Sequence, residues 1–486
     1  MRALFVCKGE LRYSYPLIAA KLKSAHGWSA DAVTFNSPSV EFVRRYGAFD
    51  RVFNLAEHLK HYYARTDLAT AISRLEELER QTGVSVYTML YSDRILRTYP
   101  FERAVRLFAG AYDFWQTVLP DADPDLVYGE VATATEWLAS TLCRRRGVRY
   151  LMAYPTPVSD RFYFLDDPLG EWEPMRRAYF ALRDADLPPD RLRRAEQWLE
   201  EFFRAKTKAP YLAIWSHSPF YVNPRWMAGR FGRIPFRVRT YVEDGFYEIG
   251  SYHGTHPLAS VAANLRSMSR HVAATATAFR HARPAGPYVY FPLHVQPEFT
   301  TDVRAPLFVN QVALAENMAR SLPAGYRLVV KEHPGMKGER PLAYYKSLRQ
   351  LFNVELMAPT VDGHDLIRNA AAVAVITGHT AWEAILYQKP VIAFGPLCYG
   401  FYDLVHPCPD IRDFGRIVRE AVDGFRPDRR LVLKLITALL DTAHRGTINA
   451  PTRWAVVTAP ENIANVAEAV VREMTRDEPA ALTSAG

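Results

Sequence analysis

The chain has 486 residues, of which 49% are hydrophobic and 23% charged; this globular composition excludes a disordered protein, and the length exceeds one compact core. Its 60 Lys and Arg residues exceed its 52 Asp and Glu residues, so the net charge is +8. This modest excess suits an anionic ligand or an acidic membrane surface, and no basic stripe with interleaved aromatic residues indicates nucleic acid.

The first half of the chain alternates between apolar runs of strand length and helical patterns. Glycines close two of the helical segments, at Gly27 and Gly147, and the aromatic stretch 55–120 is mostly helical in pattern. The predicted strands lie at 3–6, 31–35, 125–130 and 148–154. Alternation of this kind predicts a parallel sheet covered by helices.

The second half repeats the alternation more regularly. Its predicted strands are 288–293, 326–331, 354–358, 372–377 and 390–395, and its predicted helices are about 308–322, 341–351, 364–370, 380–388 and 460–474. The Pro/Gly-bearing break "RHARPAGP" (280–287) sets the predicted domain boundary. We therefore predict an α/β protein with two Rossmann-like, doubly wound domains facing a cleft. The predicted parts are domains at 1–284 and 285–460, then a terminal helix and frayed tail at 461–486.

The first motif of functional interest is "VVKEHP", where a buried apolar run stops at a charged pair. Pro334 lacks an N–H and holds His333 extended, so the strand ends with an imidazole at its tip. Lys331 lies on the same side as His333 by strand alternation. The motif predicts a phosphate site, and a structural histidine is the equally open alternative.

A second motif, "VITGHTAWE", passes from a buried strand through Thr377-Gly378-His379 into a helix. Thr380 and Glu383 fit a capping box, which accounts for Glu383 structurally. Alternatively, the glycine turn presents backbone N–H groups and a helix N-terminus to an anion, with Glu383 on the ribose hydroxyls of a nucleotide.

Further polar residues follow other predicted strands or turns. Glu243 and Asp244 precede a glycine and form either an acidic turn or a catalytic carboxylate pair facing the cleft. Gln296 and Glu298 follow the first strand of the second domain. Glu130 either holds an acceptor sugar or favours the next helix N-terminus. No DxD follows a strand, so a metal-dependent site of that kind is not indicated.

The cysteines and apolar runs bear on location. The four cysteines form no CxxC pair, so neither a zinc site nor a disulfide framework is indicated. We therefore expect the protein to be located in the reducing cytoplasm. The N-terminus lacks a signal-peptide cleavage site, and no apolar run approaches the roughly 18 residues that span a bilayer. Membrane contact would be peripheral, and the basic segment 143–149 either contributes to it or is a solvated helix end.

Four segments occur in one order: "VEDGF", "YFPLHVQPE", "VVKEHPG" and "VITGHTAWEAILYQKPVIAFG". Over roughly 240–400 this resembles the capsule polysaccharide biosynthesis family, which includes bacterial β-Kdo glycosyltransferases. The acidic motif followed by His-Pro also resembles bacterial sialyltransferases, which use CMP-activated sugars. Two segments depart from the Kdo enzymes: "YEIGSYHG" replaces an Arg-Ser and glycine-rich continuation, and Gln296-Pro-Glu298 replaces a Gln-and-Asp pattern. The donor sugar is therefore left open.

The resemblance implies a metal-independent GT-B glycosyltransferase that needs no cofactor. It assigns His333 to the donor phosphate, Asp244 to the catalytic carboxylate with Glu243 as second candidate, and nucleotide binding to Gly378, Thr380 and Glu383. The expected reaction moves a sugar, Kdo or sialic-acid-like, from a nucleotide donor to a capsular or surface polysaccharide or glycolipid. The implied partner is the capsule assembly machinery of the inner membrane.

Three alternatives share the fold. One is an isomerase of the UDP-N-acetylglucosamine 2-epimerase type, which uses no acceptor. Another is a CDP-glycerol glycerophosphotransferase type, which moves a phosphate. The third is a non-catalytic polysaccharide-assembly protein.

Overall fold

The structure is a computed structural model that describes residues 1–206, 234–250, 256–397 and 403–476. Within these residues the chain forms two α/β units, each built on its own sheet. Strands of the parallel regions are almost continuously apolar and buried, as in Ala372–Val375, because helices cover both faces of the sheet.

The first sheet has seven strands among the described residues, in the order β13-β6-β5-β4-β1-β2-β3. The strands β1 to β5 pair in parallel, whereas β6 and β13 pair antiparallel. The strands are Arg2–Val6 (β1), Ser29–Thr34 (β2), Val52–Asn54 (β3), Leu126–Tyr128 (β4), Arg149–Pro155 (β5), Arg161–Leu165 (β6) and His444–Arg445 (β13).

The second sheet has six described strands, all parallel, in the order β12-β11-β10-β7-β8-β9. They are Tyr288–Pro292 (β7), Arg327–Lys331 (β8), Val354–Met357 (β9), Ala372–Val375 (β10), Val391–Ala393 (β11) and Val405–Pro407 (β12). The strand order reverses between β7 and β10, and in the first sheet between β1 and β4. Two doubly wound Rossmann-like units of the GT-B type confirm the predicted fold class.

Helices flank both sheets. The α-helices of the first unit are Tyr15–His26, Ser37–Arg44, Leu55–Arg65, Leu68–Thr82, Val86–Ser92, Phe101–Ala122, Ala134–Arg145, Glu173–Arg183, Pro189–Ala205, Ile234–Asp244, Arg429–Thr442 and Pro460–Thr475. Those of the second unit are Pro257–Thr277, Phe299–Asp302, Gln311–Ser321, Leu342–Arg349, Gly363–Asn369, His379–Leu386 and Phe414–Arg419. The helical stretch predicted across 55–120 is present as four separate helices.

The structure corrects the boundary predicted at 284/285. Helix Pro257–Thr277 packs against Leu342–Arg349, and its Ala274 lies in the apolar core of the second unit. Ser267 Oγ donates a hydrogen bond to the Lys337 carbonyl oxygen (3.4 Å). The second unit therefore begins near residue 257. The break at 280–287 is a turn inside this unit, because Pro and Gly mark turns whether or not a domain ends there.

The structure also corrects the predicted end of the second domain at 460. Helix Arg429–Thr442 packs against Glu173–Arg183 and Pro189–Ala205, and β13 pairs with β6 of the first sheet. The terminal helix, Pro460–Thr475, packs against Tyr15–His26. The chain therefore returns to the first unit from about residue 429. Most of the predicted frayed tail, residues 477–486, lies outside the described residues.

Candidate functional site

A cleft of about 1000 Å³ is lined by both units at the carboxyl ends of their strands. In the first unit its wall includes Lys8 after β1 and Glu130 after β4, the two strands that flank the reversal of strand order. In the second unit it includes His294 after β7 and Gly378 after β10, again the flanking pair. Open α/β sheets bind ligands at this position, so the fold brings two potential binding edges into one cleft.

His333 lines the second-unit wall, directly after β8. Burial lowers its imidazole pKa to about 3, with help from the positive charges of Lys331 and Arg340. The Gly335 N–H donates to His333 Nδ1 (3.0 Å), so the neutral ring must carry its proton on Nε2. His333 therefore offers the cleft a hydrogen-bond donor without a full charge.

A buried ion pair holds the strand end behind His333. Glu332 and Arg340 are almost fully buried, with 2.9 Å between Arg340 Nε and a Glu332 carboxylate oxygen, and the Tyr345 hydroxyl donates to the same carboxylate (2.8 Å). The Glu332 carboxylate also accepts the His333 N–H, and Arg340 donates to the His294 carbonyl oxygen. One network thus fixes both histidine-bearing strand ends. The sequence showed Glu332 only as half of a charged pair, and Arg340 carried no signal.

The predicted glycine turn faces the cleft through Gly378, His379, Thr380 and Glu383. Gly378 has φ +92° and is the N-cap of helix His379–Leu386, with no side-chain capping bond. Since Thr380 is already inside the helix, the capping box offered as an alternative for Glu383 is not formed. The structure contains a capping box elsewhere, at Thr133 and Glu136.

The remaining predicted residues of the second unit divide between the cleft and its surroundings. Lys331 and Pro334 line the cleft beside His333. Glu298 also lines it, and burial raises the pKa of its carboxyl. Gln296 is not among the lining residues, and its side chain donates to the Val309 carbonyl oxygen (2.6 Å).

His294 and His379 are also neutral. Burial lowers the pKa of each to about 4. His294 Nε2 lies 2.7 Å from the Thr377 carbonyl oxygen and so joins the ends of β7 and β10. His379 bonds to the backbone of Pro155 in the first unit. Arg304 likewise crosses between the units, donating to the Pro168 (2.8 Å) and Gly170 carbonyl oxygens.

The first-unit wall is centred on Lys8, which is 4% exposed. Its ammonium lies 2.8 Å from a Glu136 carboxylate oxygen and 3.3 Å from Thr133 Oγ1. Burial raises the pKa of both Glu130 and Glu248, and the charge of Lys8 opposes the shift in each. The charge of Lys8 thus stabilises the ionised form of several carboxylates at this end of the first sheet.

The acidic pair 243–244 lies outside the set of residues that line the cleft. Asp244 is buried, and its carboxylate accepts from the Ser37 N–H (2.7 Å), the Ser37 hydroxyl (2.6 Å) and Lys60 (3.0 Å). Glu243 pairs with Arg239 (2.5 Å) on the surface. The structure places both at the junction of helix Ile234–Asp244 with Ser37–Arg44.

Glu248 faces the cleft from the same segment. It is 3% exposed, and burial raises its pKa to about 7. Sequence reasoning passed over it, although an acid between Tyr247 and Ile249 in an aromatic, apolar run was an available signal.

Metal binding and membrane insertion are two further properties on which the described residues bear. No group of three or more His, Cys, Asp or Glu side chains there is arranged to hold a metal ion. None of the helices there is both long and apolar enough to cross a membrane.

Residues 261–406 match the family model described as capsule polysaccharide biosynthesis protein. This confirms the predicted resemblance over that segment, which contains the second sheet from β7 through most of β12. The acidic pair 243–244 lies before the matched range. No curated protein sequence matches the chain.

Solved structures that are similar to this chain have low sequence identity and low TM-scores. The β-Kdo 2,4 transferase of Thermosulfurimonas dismutans KpsC is 14% identical, with 72% of this chain and 88% of that chain covered and a TM-score of 0.39. The β-Kdo 2,7 transferase of the same protein is 13% identical, covering 73% and 89%, with a TM-score of 0.37. UDP-GlcNAc 2-epimerase from Neisseria meningitidis is 9% identical, covering 91% and 99%, with a TM-score of 0.23.

Proposed function

We propose that the protein is a glycosyltransferase that moves a sugar from a nucleotide donor to a capsular or other surface polysaccharide. The observation that carries this proposal is the pairing of two unlike walls in one cleft. One wall offers N–H donors suited to a phosphate, and the other offers buried carboxylates suited to hydroxyl groups. The family match over 261–406 supports the biological setting.

The donor phosphate would bind at the second-unit wall. His333 Nε2–H, the N–H groups after Gly378 and the start of helix His379–Leu386 face the same cleft. Preorganised donors stabilise negative charge that develops on a leaving phosphate oxygen. Lys331 adds a cation to this wall, and Glu383 would accept from the ribose hydroxyls.

The finer features of the proposal follow the family resemblance. The donor would be CMP-activated, the sugar Kdo or sialic-acid-like, and the acceptor a polysaccharide or glycolipid. We propose that transfer needs no metal and that the protein works in the cytoplasm, peripherally at the inner membrane beside the capsule assembly machinery.

A nucleotide screen followed by a transfer assay tests this function. A ligand that binds only the folded protein raises its melting temperature, so CMP, CDP, UDP and GDP are compared at equal concentration. The matching nucleotide sugar is then supplied with and without polysaccharide acceptor, and with EDTA. We expect one nucleotide to stabilise the protein and release of that nucleotide to require acceptor. Sugar isomerisation without acceptor would indicate the epimerase alternative, and loss of transfer in EDTA would contradict metal independence.

A further inference from the structure

The segment 243–250 contains two buried acids, Asp244 and Glu248, which lie in different surroundings. Asp244 ends helix Ile234–Asp244, and its three hydrogen bonds go to Ser37 and Lys60. Both of its carboxylate oxygens are engaged, and it is not among the residues lining the cleft. These contacts hold the segment on the first unit. They also keep the Asp244 carboxylate away from an acceptor bound in the cleft.

Four residues later the chain turns Glu248 toward the cleft. Ile249 is fully buried in an apolar core that also contains Phe35, and a Cβ on Gly250 would come within 2.5 Å of the Phe35 ring. The backbone on the C-terminal side of Glu248 is therefore held tightly against Phe35, which directly follows β2. Glu248 is also hydrogen-bonded by the Asn36 side chain and the Gly250 backbone, so its carboxyl has a fixed place in the cleft wall.

We propose that Glu248 is the general base of the transfer reaction, in the role that the sequence assigned to Asp244. This inference rests on the proposed function. The Glu248 carboxylate takes the proton of the acceptor hydroxyl as that oxygen bonds to the anomeric carbon of the donor sugar. The bond from that carbon to the nucleotide phosphate oxygen breaks, and its electron pair leaves with the phosphate. His333 Nε2–H donates a hydrogen bond to the departing phosphate.

The surroundings of Glu248 suit a base that works near neutral pH. Burial raises its pKa to about 7; the charge of Asp244 raises it further, while Lys8, Asn36 and the Gly250 N–H lower it. A base is most effective when its pKa lies near the working pH. Since the carboxylate must be deprotonated to accept a proton, the rate should rise with pH through about 7.

The test compares Glu248→Gln and Glu248→Asp with Asp244→Asn, and uses the exposed Glu57→Gln as control. We expect Glu248→Gln to lower kcat about 10²- to 10⁴-fold and to remove the rise near pH 7. Glu248→Asp should keep the rise at a reduced rate. Asp244→Asn should keep it too, with a lower midpoint, because a charge that raises the Glu248 pKa is gone. It should also lower the melting temperature.

Three outcomes would overturn the assignment. One is Glu248→Gln with unchanged kcat; another is Asp244→Asn that abolishes the rise while Glu248→Gln retains it. The third is a covalent sugar adduct on Glu248 in the intact mass after incubation with donor, which would make it a nucleophile. Acceptor-dependent release of nucleotide by the unmodified protein, measured in parallel, separates these results from failure of the proposed function: if the unmodified protein shows no such release, the proposed function itself fails, whatever the Glu248 variants do.

Discussion

The two cleft walls have the same topology and opposite chemistry. Each is formed where the strand order of a doubly wound sheet reverses, by loops after the first and fourth strands of its unit. The first-unit wall places several carboxylates around Lys8, whereas the second-unit wall places neutral histidines beside Lys331 and a glycine turn. The fold therefore fixes where a ligand binds, and the loop residues fix which part of the ligand binds where.

Each wall also depends on one deeply buried ion pair, and breaking either gives the largest expected effect. Lys8 pairs with Glu136 and Arg340 with Glu332, and all four side chains are at most 4% exposed. Lys8→Met or Arg340→Met would leave a buried carboxylate without its cation, which typically costs about 3–5 kcal/mol of folding free energy. Urea unfolding measures this.

Arg412→Met is the matched control for these variants. Its pair with Asp410 is largely exposed and screened by solvent, so the change should leave the free energy of unfolding almost unaltered. A buried-pair variant as stable as this control would show that the walls do not depend on these ion pairs.

We expect a smaller loss of folding free energy from a change in the glycine turn of the second-unit wall. Gly378 has φ +92°, and a side chain there would strain the backbone by about 1–3 kcal/mol. An added Cβ would meet only His294 at ordinary contact distance, so the cost of Gly378→Ala should be backbone strain. Gly424→Ala, where φ is not positive and a Cβ meets nothing, is the control, and thermal unfolding compares the two. Equal melting temperatures would contradict the strained turn.

The two cleft walls also differ in how their stability should depend on pH, because His333 and Glu248 have pKa values shifted in opposite directions. The pKa of His333 is lowered from 6.5 to about 3, so between these values the unfolded chain binds more protons and stability rises with pH. The pKa of Glu248 is raised from 4.5 to about 7, so in that window the folded protein binds more protons and stability falls with rising pH. Each group contributes at most about 1.4 kcal/mol per pH unit.

Variants can separate these two contributions. Relative to the unmodified protein, His333→Ala should gain stability at pH 4–6, and Glu248→Gln should gain it above pH 7. Melting curves from pH 4 to 8 provide the measurement. If the melting temperatures of both variants changed with pH in the same direction, the opposite pKa shifts of His333 and Glu248 would be contradicted.

The sequence predicted elements well where one local pattern specifies them. The strands β7 to β11 lie within a few residues of their predicted bounds because each is a short apolar run. The four helices predicted at 308–322, 341–351, 364–370 and 380–388 are also present within a few residues of those bounds, whereas the short helix Phe299–Asp302 was not predicted. Lys331, His333, Gly378 and Glu383 were located at strand ends from local pattern alone, and all four line the cleft because carboxyl ends of parallel strands share one edge.

Features that depend on distant parts of the chain were not predictable in this way. The return of β13 to the first sheet rests on pairing with β6, nearly 300 residues earlier, which no local period reports. The choice between Asp244 and Glu248 likewise depended on Ser37 and Lys60, whose contacts occupy Asp244. An acidic motif indicates that a carboxylate is present and does not indicate which way it faces.

Calorimetric titration shows whether the second-unit wall holds the donor phosphate while Glu248 serves the acceptor. The nucleotide found in the melting screen is titrated into the unmodified protein, His333→Ala and Glu248→Gln. A hydrogen bond to a charged group contributes about 1.5–3 kcal/mol, so His333→Ala should bind roughly 10- to 150-fold more weakly while Glu248→Gln binds normally. Unchanged affinity in folded His333→Ala, or a loss confined to Glu248→Gln, would contradict the account.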